Sequence, residues 1–226
     1  MPTWLVVVAY LSIALGIVTA VIIAADVIAH PQHMRIMNVV WPVTGLYFPV
    51  IGLWFYRSMG RPMAVDAGPM HMEHMKKQPF WKSIFTSSTH CASGCVLGDI
   101  IGAPLVFALG WTLFGTRLFA EYAVEFALAY VFGIAFQYLA ITAMRKMPPH
   151  AAILDAAKAD TLSLVAYEVG MFGWMAVVVF LLMPARTLDP TMAVFWFMMQ
   201  IGLVVGFVTT YPANWLLVKW GVKGGM

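Results

Sequence analysis

From Trp4 to Ile28 the chain carries a single charged side chain, Asp26. A run that apolar is long enough to cross a bilayer, which takes ~20 residues as a helix. Inside hydrocarbon the backbone must satisfy its own hydrogen bonds, so such a run is read as a helix. Five more stretches have the same character, and the approximate spans are 4–28, 36–57, 84–115, 121–144, 160–183 and 192–218. Only 10% of the 226 residues are charged, and the mean hydropathy is +0.85. That is too little charge to cover a soluble surface of this size. The expected class is therefore all-α, a polytopic membrane protein built as a six-helix transmembrane bundle, with residues 1–226 as one membrane domain. The first span lacks a basic leader, and its apolar run is too long for a signal peptide; it is read as a retained helix. Trp41-Pro42 and Tyr211-Pro212 are expected to kink the second and sixth spans.

Charge placement sets an expected orientation. With six spans, one side holds Arg57, Arg61, Lys76, Lys77, Lys82, Arg145, Lys146, Lys158, Lys219 and Lys223. The other holds Arg35, Arg117 and Arg186. Basic residues collect on the cytoplasmic side, which predicts cytoplasmic termini and a cytoplasmic loop over 58–82. The net charge of +3 comes from short loops between apolar runs, and it points to no nucleic-acid partner. The expected partners are the lipid bilayer and a metal ion, with a homo-oligomer or a metallochaperone as further possibilities.

Both cysteines of the chain lie in SSTHCASGCVLGDIIGAP, residues 87–104. Residues four apart share a helix face. Two adjoining stripes result: Cys91, Cys95 and Asp99 on one, His90, Gly94, Gly98 and Gly102 on the other. Gly98-x-x-x-Gly102 is a small-residue pattern that admits a close neighbouring helix, and Gly94 extends it by a turn. Two thiols one turn apart, flanked by a histidine and a carboxylate, suit a soft ion such as Cu(I); zinc and mercury are alternatives. Packing by small apolar side chains is the competing explanation. Asp99 and Glu168 are carboxyl groups within apolar runs, where an unpartnered charge costs ~2.5–3.5 kcal/mol. Counting 1.5 Å per residue from the inner edge puts Cys91 at ~13 Å and Glu168 at ~15 Å. Gln137 falls at a similar depth, while Asp99, Met198, Met199 and Gln200 fall deeper. The expected metal set is His90, Cys91, Cys95, Asp99, Glu168, Met198 and Met199.

Other polar groups are read as ordinary. Asp160 is expected to cap a helix or to be solvated, and Glu121 and Glu125 to be solvated or first-turn acids. In PMHMEHM, residues 69–75, the ligands Met70, His71, Met72, His74 and Met75 form a tract suited to secondary metal capture. His30, His33 and Met34, beside Asp26, are a weaker echo on the opposite side.

The motif His90-Cys91-x-x-Gly94-Cys95-x-Leu97-Gly98-Asp99, with Phe-Gly-Ile-x-Phe-Gln-Tyr at 132–138, resembles a bacterial membrane family classed only as a domain of unknown function. Residues 158–164, 195–202 and 211–215 resemble it too, so the resemblance runs from about residue 30 to the end. It implies an all-helical protein of a bacterial inner membrane and carries no activity with it. The Met/His tract is not among the shared features. Function is left between three classes. The first is a soft-metal, chiefly copper, transporter or membrane metal-binding protein, using no ATP motif of its own. The second is a membrane thiol oxidoreductase or metalloenzyme; an enzyme is the less favoured reading because Cys-x-x-x-Cys within one helix is poor disulfide geometry. The third is a non-catalytic subunit of a larger membrane complex.

Overall fold

The computed structural model describes residues 1–65, 79–144, 146–184 and 188–224. Among these, the chain is built almost wholly of helices: α1 (Thr3–Ala29), α2 (Met37–Tyr47), α3 (Ile51–Phe55), α4 (Phe80–Leu109), α5 (Arg117–Met144), α6 (Pro149–Val177) and α7 (Ala193–Lys219). A π-helical turn, Val178–Leu182, extends α6. Five of the helices, α1 and α4 to α7, are long and apolar enough to cross a membrane. Their outer faces carry exposed large apolar side chains such as Tyr10, Val131, Val169, Leu181 and Val208, as expected of surfaces that meet lipid.

The second apolar stretch departs from expectation. Residues 36–57 do not form one crossing helix; they fold back as a hairpin. Pro49 has no N–H to continue the ladder of α2. At the next residue the backbone turns through Val50, whose φ is 64°. α3 then runs back along α2 and ends in a π-helical turn, Tyr56–Gly60. Trp41 meets Tyr56 at a ring separation of 5.8 Å, and Phe48 meets Phe55 at 5.4 Å. The two feet of the hairpin are tied together beside the end of α1. Val65 N–H donates to the Pro31 carbonyl at 2.8 Å, Gln32 pairs with Ala64, and Arg61 reaches Asp26 at 3.3 Å. Neighbouring helices supply the hydrogen bonds that the bend breaks. Val50 N–H donates to Thr19 Oγ1 at 2.9 Å, and Gln200 Nε2 donates to the Leu46 carbonyl at 2.6 Å. Irregular backbone at this depth needs such partners. Pro42 and Pro212, by contrast, sit inside helices that continue past them.

With that stretch folded back, five helices long and apolar enough to cross a membrane remain among the described residues. Ser12 of α1 donates to Gln200 of α7 at 2.5 Å. The start of α4 and the end of α7 lie at one end, which we call the basic end. There Phe80 stacks edge-on with Trp215 at 4.9 Å.

α4 is the axis of the site. Its glycine stripe faces α5 at backbone distance. A Cβ placed on Gly94 would lie 2.9 Å from Gly133 Cα, one on Gly98 2.5 Å from Ala129 N, and one on Gly102 2.7 Å from Glu125 Cγ. α6 and α7 are equally close, since a Cβ on Gly206 would lie 2.9 Å from the Tyr167 carbonyl. Small residues buy this approach, and it draws polar side chains of three helices into the interior.

Candidate functional site

Three helices each contribute a stripe of residues spaced by four. α4 supplies Cys91, Cys95 and Asp99. α5 supplies Glu121, Glu125, Ala129, Gly133 and Gln137. α6 supplies Asp160, Leu164 and Glu168, with Ser163 and Tyr167 on adjoining positions. All the ionisable members are buried, none more than 4% exposed.

Together they form a line along the bundle. At the basic end, Cys91 Sγ donates to Ser163 Oγ at 3.4 Å, and Ser163 Oγ donates to the Asp160 carbonyl at 2.9 Å. Cys95 lies beside both Cys91 and Glu168. Asp99 faces Glu168 and Glu125, close enough for the three carboxyl groups to interact electrostatically. Glu125 in turn faces Glu121. Glu121 accepts from Arg117 Nε at 2.9 Å, and Arg117 also donates to the Leu188 carbonyl at the far end.

The middle of the line is unusual for its lack of donors. Both oxygens of Asp99 and both of Glu168 are buried with no hydrogen-bond partner among the described residues. A buried polar group without a partner costs ~1–3 kcal/mol, and more when it is charged. Carboxyl groups buried in this way, beside two thiols, favour a proton or a cation as balance. The expected seven-ligand set does not close around one point. Among the described residues, no three or more His, Cys, Asp or Glu side chains are grouped so as to hold a metal ion. The thiols and carboxyls are strung along an axis.

The basic end of the line carries a cation of the chain itself. Lys223, four residues beyond α7, turns back so that Nζ lies 3.1 Å from Asp160 Oδ1 and 3.3 Å from Ser163 Oγ. Burial disfavours its ammonium, but the Asp160 carboxylate and the nearby thiols outweigh that and raise the lysine above its ordinary range.

The family model of DUF4396, described as a domain of unknown function, matches residues 80–223. The chain belongs to this family. The DUF4396 match spans α4 to α7 and Lys223, and so contains every member of the line; α1 and the hairpin fall outside it. No curated protein and no solved structure matches the chain.

Within the DUF4396 portion, the remaining expected residues are placed as follows. His90 is buried but faces Phe136 of α5 at a ring separation of 6.1 Å, and its charged neighbours are Lys223 and Asp160. Glu168 was expected level with Cys91. It stands instead beside Cys95 and Asp99, because α6 begins at Pro149, a full three turns before the expected start of the span. Met198 and Met199 belong to the apolar core, where Trp174 Nε1 donates to the Met198 carbonyl at 2.9 Å. Gln137 is buried with its Oε1 unpartnered. Outside the family match, His30 Nδ1 lies 3.2 Å from Asp26 Oδ1. Met70, His71, Met72, His74 and Met75 lie outside the described residues.

Four residues were read too plainly from sequence. Asp160, Glu121 and Glu125 are not solvated; all three are buried in the line. Lys223 is not a loop charge. The spacing of Glu121, Glu125, Ala129, Gly133 and Gln137 was a usable signal for the acids, since it repeats the glycine pattern of α4. For Lys223 the sequence holds no comparable signal.

Proposed function

We propose that the protein is a membrane transporter for a soft cation, with Cu(I) the best-matched cargo, which passes along the buried line of Cys91, Cys95, Glu168, Asp99 and Glu125. The observation that carries this reading is the pair of buried, unpartnered carboxyl groups beside two buried thiols. Soft thiolates select Cu(I) over hard ions, and zinc and mercury are further thiolate-binding candidates. Cys91 and Cys95, one turn apart, offer two sulfurs to one ion. Carboxyl groups in an apolar interior need a proton or a cation as balance. In this scheme Asp99, Glu125 and Glu168 exchange one for the other as the cargo moves. A string of sites, each incomplete alone, holds an ion loosely enough to let it leave.

The transporter would lie in a bacterial cytoplasmic membrane, with α1 and α4 to α7 crossing it and the α2–α3 hairpin entering and leaving by one face. Among the described residues, Lys82, Lys146, Lys158, Lys219 and Lys223 stand toward the basic end and Arg117 toward the far end. By the positive-inside rule the basic end is cytoplasmic. A periplasm-active reporter is therefore expected to be inactive when fused after Lys223 and active when fused before Thr3. Activity at both positions would return the chain to an even number of crossings.

The transport reading is tested with purified protein in sealed vesicles, supplied with Cu(I) under reducing conditions. Wild-type vesicles are expected to take up copper, and Glu168→Gln vesicles to fall to the rate of empty ones. The amide is nearly isosteric but cannot exchange a proton. Unchanged uptake by Glu168→Gln, in protein with a normal melting profile, would remove the carboxyl groups from the pathway.

A further inference from the structure

The cytoplasmic mouth of the line is already filled by a cation that belongs to the chain. α7 ends at Lys219, and the tail reverses through Gly221, whose φ of 72° is the left-handed region that suits glycine. Val222 N–H and Lys223 N–H both donate to the Leu217 carbonyl, at 3.0 and 3.2 Å, which turns the Lys223 side chain back under α7. Its side chain has no exposure at all, and Nζ is held by Asp160 Oδ1 and Ser163 Oγ. Ser163 Oγ is also the acceptor for the Cys91 thiol. The ammonium thus sits one hydroxyl away from the first sulfur of the line. Asn214 and Thr210 back this corner from α7: Thr210 Oγ1 donates to the Ser163 carbonyl at 2.6 Å. The second oxygen of Asp160 has no hydrogen-bond partner among the described residues, and neither has Nε2 of the neighbouring His90. Such a pocket has acceptors to spare for a cation.

We propose that Cys91, Ser163 and Asp160 form a cation-accepting mouth, and that Lys223 is a tethered plug which closes it until an arriving cation takes the place of the ammonium. The cargo rests on the transport reading above; the plug itself does not. An ion pair buried this completely lies close to balance between desolvation and attraction. A competing cation therefore has little to overcome in displacing the lysine. Four residues of tail, turned by a glycine and with Lys219, Trp220, Val222 and Gly224 outside the core, can withdraw without disturbing the bundle. The arrangement also keeps Cys91 out of reach of water-borne thiol reagents and adventitious metal.

The test reads the accessibility of Cys91. Full-length protein in its own membranes, opened to expose the cytoplasmic face, is treated with a small cationic thiol reagent, and the label on Cys91 is followed by mass spectrometry. In the wild type labelling is expected to be slow. Lys223→Gln should speed it by roughly tenfold or more, the factor that about 1.4 kcal/mol of closing free energy represents. Lys223→Arg, which restores the charge, should return it toward the wild-type rate. Gly221→Ala leaves every charge in place and strains only the turn, so it should speed labelling by favouring withdrawal of an intact Lys223. It covers the case in which Lys223→Gln fails to fold. Equal labelling rates in the wild type, Lys223→Gln and Gly221→Ala would overturn the plug. Faster labelling in these variants, in a protein that neither binds nor moves copper, would uphold the plug and sink the copper reading alone.

Discussion

Cys91→Ser and Cys95→Ser are each expected to abolish stoichiometric Cu(I) binding while leaving the bundle folded. Both thiols are buried and unpaired, so neither staples the fold. A hydroxyl is nearly isosteric with a thiol, and at position 91 it keeps the hydrogen bond to Ser163 Oγ that the thiol makes at 3.4 Å. The added polarity at either position costs about 1–3 kcal/mol at most. The change in ligand chemistry is far larger, because a hydroxyl is a hard donor that Cu(I) does not favour. Losing one of two sulfurs leaves a single soft ligand beside carboxyl oxygens. Elemental analysis of purified protein, per mole of chain, measures the outcome, with a thermal melt as the control for folding. Retention of full copper by both variants would make the cysteines packing residues and end the metal reading. If the wild type holds no copper and instead forms a reversible Cys91–Cys95 disulfide, thiol redox chemistry takes its place. The geometry works against that result. Cβ atoms four residues apart on a helix lie ~5–6 Å from each other, and a disulfide wants them at ~3.8 Å.

The second large effect is structural. Gly98→Val is expected to lower the melting temperature of the purified protein by roughly 5 °C or more, from an overpacking cost of at least about 2 kcal/mol. A Cβ at this position would stand 2.5 Å from Ala129 N and 2.8 Å from Ala129 Cα. Those are backbone atoms of a helix and cannot swing away, so α4 and α5 must part. Parting them separates Asp99 from Glu125 and breaks the line where it passes from one helix to the other. Copper transport should fall together with stability. Gly173, on the same bundle but with nothing within 4 Å of an added Cβ, is the matched control. Gly173→Ala should be neutral, or stabilising by up to about 1 kcal/mol, because alanine favours the helix. A wild-type melt for Gly98→Val would mean that the two helices do not meet there.

The line of polar groups crosses between elements that sequence spacing treats separately. Periodicity of four within α4 put Cys91, Cys95 and Asp99 on one face and the three glycines on the next, since 3.6 residues per turn decide which neighbours share a face. The same periodicity ran through Glu121, Glu125 and Gly133. Which face of α5 meets which face of α4 is a matter of packing between helices, and no local pattern states it. Asp160 reads as a cap from sequence because the unbroken apolar run begins beside it, whereas α6 starts at Pro149. The eleven residues of α6 that precede it, Pro149 to Ala159, include the charged Asp155 and Lys158 and so broke the apolar run without breaking the helix.

By itself the sequence determined that this chain is all-helical, that it has long apolar segments suited to a membrane, and that two thiols and a carboxyl share a face of α4. Composition and helical period are local properties, and a long apolar run satisfies its own backbone hydrogen bonds as a helix. Tertiary structure alone decided three things. The apolar stretch 36–57 turns back at Pro49 because Thr19 and Gln200 satisfy the groups that the bend frees. The acids of α5 are buried because the glycines of α4 let that helix close over them. Lys223 lies inside the bundle because a glycine turn aims it at Asp160, and the attraction between those two charges, distant in the chain, outweighs the preference of an ammonium for water.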